Sequence, residues 1–115
     1  MDEEPSIDPM VNLRARLGEV QGELAVFCRE HAIERCDLFG SVLREDFGAE
    51  SDVDVLVTFR DGQTPSLFEH MRLEKALSEL FRRQVDLISM GAVSQSENEL
   101  LRDEILETRR TIYAE

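Results

Sequence analysis

The sequence has no tryptophan and only two cysteines, and aromatic residues make up 6% of its 115 positions. Cys28 and Cys36 have neither CxxC spacing nor a companion cluster of His and Cys, which argues against a zinc site or a disulfide framework. We expect both to be buried thiols. No apolar run approaches the roughly 20 residues that cross a bilayer, and the acidic start at 1–5 is unlike a secretory signal. These absences favour a cytoplasmic protein that does not bind membranes.

Basic residues are also scarce. Thirteen Lys and Arg stand against 25 Asp and Glu, so the formal net charge is −12. An excess of carboxylates repels a phosphate backbone, which argues against stable binding of nucleic acid. The same charge would steer a basic protein partner towards this chain.

The apolar pattern predicts a single small α/β (α+β) domain at 9–115, preceded by a mobile acidic segment at 1–8. A chain of this length corresponds to one domain, since domains most often contain about 100–150 residues. We expect a small mixed sheet packed against helices. The predicted helices are at about 9–31, begun by Asp8-Pro9, then at 41–47, 66–83 and 97–107, and the predicted strands are at 33–39, 52–59, 85–88 and 110–113, the last at a sheet edge.

The first candidate for chemistry is the turn at Gly40-Ser41. A strand that ends at Gly and continues as a helix at Ser presents free backbone amides and a hydroxyl, and these groups suit an anionic phosphate. A Gly-Ser pair alone is typical of an ordinary loop. The turn therefore needs support from other residues before it indicates a binding site.

Two carboxylates begin the strand with the strongest β propensity. Alternation places Asp52 and Asp54 on one face of this strand, about 7 Å apart or closer. Like charges beside an apolar core are unfavourable unless a cation lies near them, and carboxylate ligands indicate Mg²⁺ or Mn²⁺. His31 and His70 are isolated on predicted helices, where packing or surface roles are expected. The alternative for the two aspartates is a solvated strand edge.

A third carboxylate, Asp86, lies within the apolar run 85–88. If its strand lies beside the strand of Asp52 and Asp54, three carboxylates meet. Two metal ions about 3.5–4 Å apart can then bind between them. A salt bridge or a contact with a helix cap is the alternative role for Asp86.

The spacing of these residues resembles that of the DNA polymerase β-type nucleotidyltransferases, whose signature is Gly-Ser, ten residues, and Asp-x-Asp. Gly40-Ser41 and Asp52-Val53-Asp54 match this signature in full. Over about residues 9–113 the chain resembles more closely the minimal nucleotidyltransferases of this superfamily. The segments that carry this resemblance are Gly40-Ser41-Val42-Leu43-Arg44, Ser51-Asp52-Val53-Asp54 and Val85-Asp86-Leu87. Leu43 departs from the small residue that usually precedes the arginine.

The resemblance implies roles residue by residue. Gly40, Ser41 and the nearby amides would hold the triphosphate of ATP. Asp52 and Asp54 would bind two Mg²⁺ ions. Asp86 would supply the third carboxylate and is a candidate for deprotonating the acceptor.

Arg44 matches the arginine of the family pattern. The resemblance implies that its side chain contacts phosphate or braces the loop. An ion pair with Glu45 or Asp46 is the alternative.

Minimal nucleotidyltransferases are commonly paired with a HEPN-domain ribonuclease toxin. The resemblance implies that this chain is the antitoxin of such a pair and transfers AMP from ATP to a tyrosine of the toxin. Two other interpretations are open: an antitoxin that neutralises by binding alone, and a nucleotidyltransferase that modifies a small hydroxylated molecule. The second would need extra substrate-binding structure, for which 115 residues leave little room.

Overall fold

The computed structural model describes residues 9–43, 47–48 and 50–115 of the chain. The described elements follow the order that the sequence predicts, except that two helices occupy the region of the first predicted helix and an unpredicted helix follows the third strand. The elements are α1 (Pro9–Glu19), α2 (Gln21–Glu30), β1 (Ile33–Phe39), a 3₁₀ turn (Gly40–Leu43), β2 (Val53–Phe59), α3 (Leu67–Phe81), β3 (Val85–Ser89), α4 (Met90–Ser94), α5 (Glu99–Thr108) and β4 (Arg110–Ala114).

The four strands form one mixed sheet in the order β3-β2-β1-β4. β1 runs antiparallel to both β2 and β4, whereas β2 and β3 are parallel and are joined through α3. The predicted fold class and the edge position of the last strand are confirmed.

One face of the sheet, which we call the closed face, packs against α1, α2 and α3. Val53, Val55 and Val57 of β2 point to this side, as do Val85 and Leu87 of β3. The helices contribute a stripe of buried apolar side chains, which includes Leu13, Leu24, Cys28, Leu73, Leu77 and Phe81. This apolar cluster is the main core of the domain.

The opposite face, which we call the open face, carries a smaller cluster. Leu56 of β2 packs there with Val93 of α4 and Ile105 of α5. The sequence does not predict α4, which begins after Ser89, whose hydroxyl accepts a hydrogen bond from the Ala92 amide at 3.2 Å. α4 and α5 cover part of this face. A cavity remains beside the last residue of β1 and the first residues of β2.

Polar side chains of α3, which we call the polar stripe, form hydrogen bonds with backbone groups along the free edge of β3. Ser78 Oγ accepts from the Val85 amide at 2.9 Å, and Glu74 Oε2 accepts from the Leu87 amide at 2.9 Å. His70 Nε2 donates to the Leu87 carbonyl at 2.9 Å. Edge strands present backbone groups that are not paired with a neighbouring strand. The side chains of α3 form hydrogen bonds with such groups of β3. His70 therefore has the structural role that its isolated position indicates.

The predicted single helix at 9–31 is wrong, because the chain forms two helices that meet at Val20. Val20 is buried, and its φ and ψ of −105° and 15° depart from helical values. Gly18 and Gly22 lie on either side, and glycine lowers helix stability by about 1 kcal/mol relative to alanine. A bend at this point lets both helices pack on the closed face. Asp8 and the acidic segment 1–8 lie outside the described residues.

The helix predicted at 41–47 is only partly described, because residues 44–46 lie outside the described residues. A 3₁₀ turn ends at Leu43, and Phe47 is buried without helical conformation. Among the described helices, none is long and apolar enough to cross a membrane.

Cys28 and Cys36 are free, buried thiols, as predicted. A hydrogen bond with the Cys28 thiol, together with burial, raises the pKa of the Cys36 thiol well above its usual value, and the charge of Asp37 acts in the same direction. Cys36 is therefore held neutral in the core.

Candidate active site

Gly40 lies at the end of β1, directly against the carboxylate of Asp54. Its φ is +71°, a value that side chains disfavour. A Cβ atom at this position would also lie 2.3 Å from Asp54 Oδ2. Two independent requirements therefore call for glycine here. The strand pairing explains the proximity, because Phe39, the last residue of β1, is the register partner of Asp54.

Asp54 and Asp86 are register partners on the parallel strands β2 and β3. Neighbouring strands lie about 4.8 Å apart, and paired residues project to the same face. Because Val53, Val55 and Leu87 occupy the closed face, both carboxylates belong to the open face. Asp54 is half-buried and Asp86 is exposed. The predicted adjacency of the two acidic strands is confirmed.

Asp52 immediately precedes β2 and is exposed. The loop before it is held by Arg83, which donates from Nη2 to the Gly48 carbonyl at 2.8 Å and to the Ser51 carbonyl. The Arg83 guanidinium also lies over the Phe47 ring, 4.6 Å from its centroid. Arg83 thus fixes the approach of the chain to the acidic strand. The sequence does not predict this role of Arg83, because its partners are backbone carbonyls that no motif reveals.

The acidic groups suit a divalent metal in part. Within the described ranges, no three His, Cys, Asp or Glu side chains form a group that could hold a metal ion by themselves. Mg²⁺, however, is usually held by one or two carboxylates together with substrate phosphates. Asp54 and Asp86, on neighbouring strands beside a glycine turn, fit that pattern. The joint use of Asp52, Asp54 and Asp86 stays a prediction.

A cavity of about 340 Å³ lies beside Asp54, one member of this acidic pair. Small-molecule sites in proteins typically have volumes of about 300–1,000 Å³. Its lining consists of Phe39, Gly40, Leu43, Asp54, Leu101, Glu104, Ile105 and Thr108. The cavity therefore joins the glycine turn and one acidic residue to one face of α5.

Two of the predicted site residues are described only in part or not at all. The backbone of Ser41 belongs to the 3₁₀ turn that follows β1, but its side chain lies outside the described residues. Arg44 lies outside them entirely. A phosphate contact for Ser41 and the two alternatives for Arg44 stay predictions.

Asp37 is fully buried on the open face of β1. Arg35 Nε donates to both of its carboxylate oxygens at 3.1 Å, and the Thr111 hydroxyl donates to Oδ1 at 2.6 Å. Arg109 Nη1 lies 3.6 Å from Oδ2. This ionic cluster joins β4 and the end of α5 to the centre of the sheet. The sequence analysis missed it, although an aspartate inside an apolar strand is the same signal that singled out Asp86.

The sequence also does not predict that α5 forms one wall of the cavity. The sequence predicts the helix from its leucines and isoleucine, and the helix is confirmed. Leu101, Glu104, Ile105 and Thr108 follow the i, i+3, i+4, i+7 spacing of one helix face. A glutamate on that otherwise apolar stripe is a signal, but the sequence does not show which part of the sheet the stripe meets.

The fold and the acidic pair define the class of protein, and comparison with known proteins agrees. A family model described as polymerase beta, nucleotidyltransferase, matches residues 23–115. This chain therefore belongs to the polymerase β nucleotidyltransferase family, and it is an enzyme of the nucleotidyltransferase class.

Two individual proteins are similar to this chain over most of its length. A Methanocaldococcus jannaschii protein named as a protein adenylyltransferase is 30% identical over 90 residues, which cover 78% of this chain and 90% of that protein. A solved minimal nucleotidyltransferase is 34% identical, with a TM-score of 0.64 and coverage of 92% of this chain and 98% of the other.

A third likeness is to the structure of a tri-AMPylated Shewanella oneidensis HEPN toxin in complex with an MNT antitoxin. The TM-score is 0.58 at 17% identity, with coverage of 86% of this chain and 73% of the other. At this identity the likeness shows a shared fold.

Proposed function

We propose that this chain is a metal-dependent protein adenylyltransferase that transfers AMP from ATP to a tyrosine hydroxyl of a HEPN-domain toxin and thereby acts as its antitoxin. The observation that carries the proposal is the contact between Gly40 and the Asp54 carboxylate, with Asp86 beside it in register. The proposal takes this turn as the group that accepts the phosphates and the two carboxylates as oxygen ligands of the metal.

The backbone amides and side chains of this chain have two proposed roles, which are binding of ATP with its metal ions and acceptance of a proton. The amides that follow Gly40, with Ser41, hold the triphosphate, since backbone N–H groups at such a turn favour anions. Asp52, Asp54 and Asp86 are the groups that would hold Mg²⁺. Bound Mg²⁺ neutralises charge on the phosphates and polarises the phosphoryl group.

In the proposed reaction, the tyrosine oxygen bonds to the α-phosphorus while the bond from that phosphorus to the bridging oxygen breaks. Pyrophosphate leaves with the bonding electron pair, and AMP stays on the tyrosine. Asp86, exposed at the open face, is the proposed acceptor of the hydroxyl proton. Its exposure leaves it accessible to an incoming side chain of another protein.

The partner assignment is supported by relatives and by charge. The Methanocaldococcus jannaschii relative is named as a protein adenylyltransferase, and the Shewanella oneidensis complex joins an MNT antitoxin to an AMPylated HEPN toxin. A net charge of −12 suits a basic RNA-cleaving partner. We place this encounter in the cytoplasm.

The test is transfer of AMP to a HEPN-domain protein, namely the product of the neighbouring gene if that gene encodes one. Purified chain, toxin, ATP and Mg²⁺ should give toxin with the mass of one or more added adenylyl groups, located on tyrosine by peptide mass spectrometry. Asp54→Asn should reduce transfer more than the roughly 10–100-fold that follows loss of an outer-shell partner of a metal ligand. Asp61→Asn, at an exposed turn position, is the matched control.

The same variants separate catalysis from simple binding. If Asp54→Asn still neutralises the toxin fully in cells, neutralisation works by binding alone and the catalytic proposal fails. If the toxin is never modified but a small hydroxylated molecule is, the acceptor assignment fails while the family chemistry stands.

A further inference from the structure

The cavity beside Gly40 and Asp54 has two chemically different walls. One wall is the glycine turn with the half-buried carboxylate of β2. The other is a single face of α5, on which Leu101, Glu104 and Thr108 succeed one another along the helix. A nucleotide that occupied the cavity would therefore meet helix side chains on one side and the phosphate-accepting turn on the other.

Glu104 decides which part of a nucleotide can face α5. A carboxylate accepts hydrogen bonds and cannot donate them, and it repels phosphate oxygens through like charge. On the Gly40 side the turn amides favour phosphate and, in the proposed function, Mg²⁺ offsets the charge of Asp54. The triphosphate is therefore assigned to that side and not to the α5 wall. Neutral donor groups, such as sugar hydroxyls, are the parts of a nucleotide that suit the α5 side.

The remaining lining of the cavity is largely apolar. Phe39, Leu43, Leu101 and Ile105 offer hydrocarbon surface on both sides of Glu104. Apolar walls with a few placed polar groups are typical of sites for small organic ligands. The Thr108 hydroxyl donates to the Glu104 carbonyl at 2.6 Å, which leaves its oxygen able to accept from a ligand.

We infer that α5 is the nucleoside-facing wall of the site and that Glu104 is a specificity-determining residue, whose carboxylate accepts hydrogen bonds from the ribose hydroxyls. The inference rests on the proposed function, since it assumes that a nucleoside triphosphate occupies the cavity. Acidic side chains hold ribose hydroxyls in this way in dinucleotide-binding folds. The site therefore discriminates against nucleotides that lack a ribose hydroxyl.

The experiment is calorimetric titration of the whole chain, with Mg²⁺, against ATP, 2′-deoxy-ATP, 3′-deoxy-ATP and inorganic tripolyphosphate. The wild-type chain should bind at least one deoxy analogue about 10-fold or more weakly than ATP, because a hydrogen bond to a charged group is lost. Glu104→Ala should bind the three nucleotides alike and bind tripolyphosphate as the wild type does.

Two further variants serve as controls. Glu107→Ala removes an exposed glutamate of the same helix that does not line the cavity, and it should keep the wild-type preference. Glu104→Gln preserves the size of the side chain without its charge and should also lose most of the discrimination. Thermal unfolding of each variant confirms that the helix is intact.

The outcomes separate this inference from the proposed function. Tight ATP binding without preference between the sugars, or a preference that survives in Glu104→Ala, would overturn the role of Glu104 and leave the proposed function standing. Weaker tripolyphosphate binding by Glu104→Ala would place this residue on the phosphate side and also overturn it. A wild-type chain that binds no nucleotide would overturn both.

Discussion

The two faces of the sheet differ in how they are packed. Among the described residues, the closed face joins 17 buried side chains in one apolar cluster, whereas the open face joins three, Leu56, Val93 and Ile105. The open face instead carries the buried Asp37, the acidic pair Asp54 and Asp86, and the cavity. Apolar burial is the dominant favourable term in folding. We conclude that the closed face supplies most of the stability, and we propose that the open face serves binding and chemistry.

The variant with the largest expected loss of stability is Asp37→Asn. Among the described residues, Asp37 is the one charged side chain that is buried, and it lies on the open face. We expect the free energy of unfolding to fall by about 3–4 kcal/mol, the lower part of the range for breaking a buried ion pair, because Asp37 is fully buried whereas Arg35 is 38% exposed. Arg109, only 20% exposed, would retain its charge beside a neutral amide. Urea denaturation measures the change.

The matched control for that variant is Asp103→Asn on α5. Asp103 is 62% exposed and lies 3.8 Å from Arg102, and an exposed pair contributes less than about 1 kcal/mol. Equal losses in the two variants would show that the ionic cluster around Asp37 does not stabilise the open face.

The residues that the sequence predicts well are those whose pattern is local. The alternation along β2 and the apolar run around Asp86 place the acidic pair, because both signals lie within single strands. The break at Val20 and the helix α4 depend on packing against the sheet, which local propensity does not encode. Arg83 escapes prediction for the same reason, since its partners lie 32 and 35 residues away.

The second test disrupts the closed face through Leu77→Ala. Leu77 is fully buried on α3, and removal of a buried leucine side chain costs about 2–5 kcal/mol, so we expect a loss of about 3 kcal/mol. Because Leu77 lies away from the cavity, transfer per folded molecule should be unchanged. Urea denaturation and the transfer assay, both at a temperature where the variant is folded, check the two statements.

Leu100→Ala provides the control for the leucine variant. Leu100 is 85% exposed, and surface substitutions usually change stability by less than about 0.5 kcal/mol. A change at Leu100 as large as that at Leu77 would contradict the assignment of the core to the closed face.

The third test, Gly40→Ala, addresses the open face with the smallest expected loss of stability, about 1–2 kcal/mol for a left-handed backbone with a side chain. Activity should fall by about 100-fold or more, because the new Cβ must displace the Asp54 carboxylate, and a misplacement of about 1 Å can cost that much. AMP transfer and urea denaturation measure the two effects separately.

Gly62→Ala measures the stability cost of a side chain on a left-handed backbone, without any displacement of Asp54. Gly62 has a φ of +75°, similar to the +71° of Gly40, but a Cβ atom added to it would meet nothing within 4 Å beyond its own chain neighbours. It should lose a similar amount of stability and keep its activity. Loss of activity in both variants would show that strain, and not the contact with Asp54, explains the effect.

The polar stripe of α3 limits how other chains can join the sheet. Because Ser78, Glu74 and His70 already occupy backbone groups along the outer side of β3, an extended peptide cannot extend the sheet there without displacing them. β-Augmentation by a neighbouring molecule is therefore directed to β4 at the far end. A protein that approaches the acidic pair therefore reaches it from the open face and not by extending the sheet at β3.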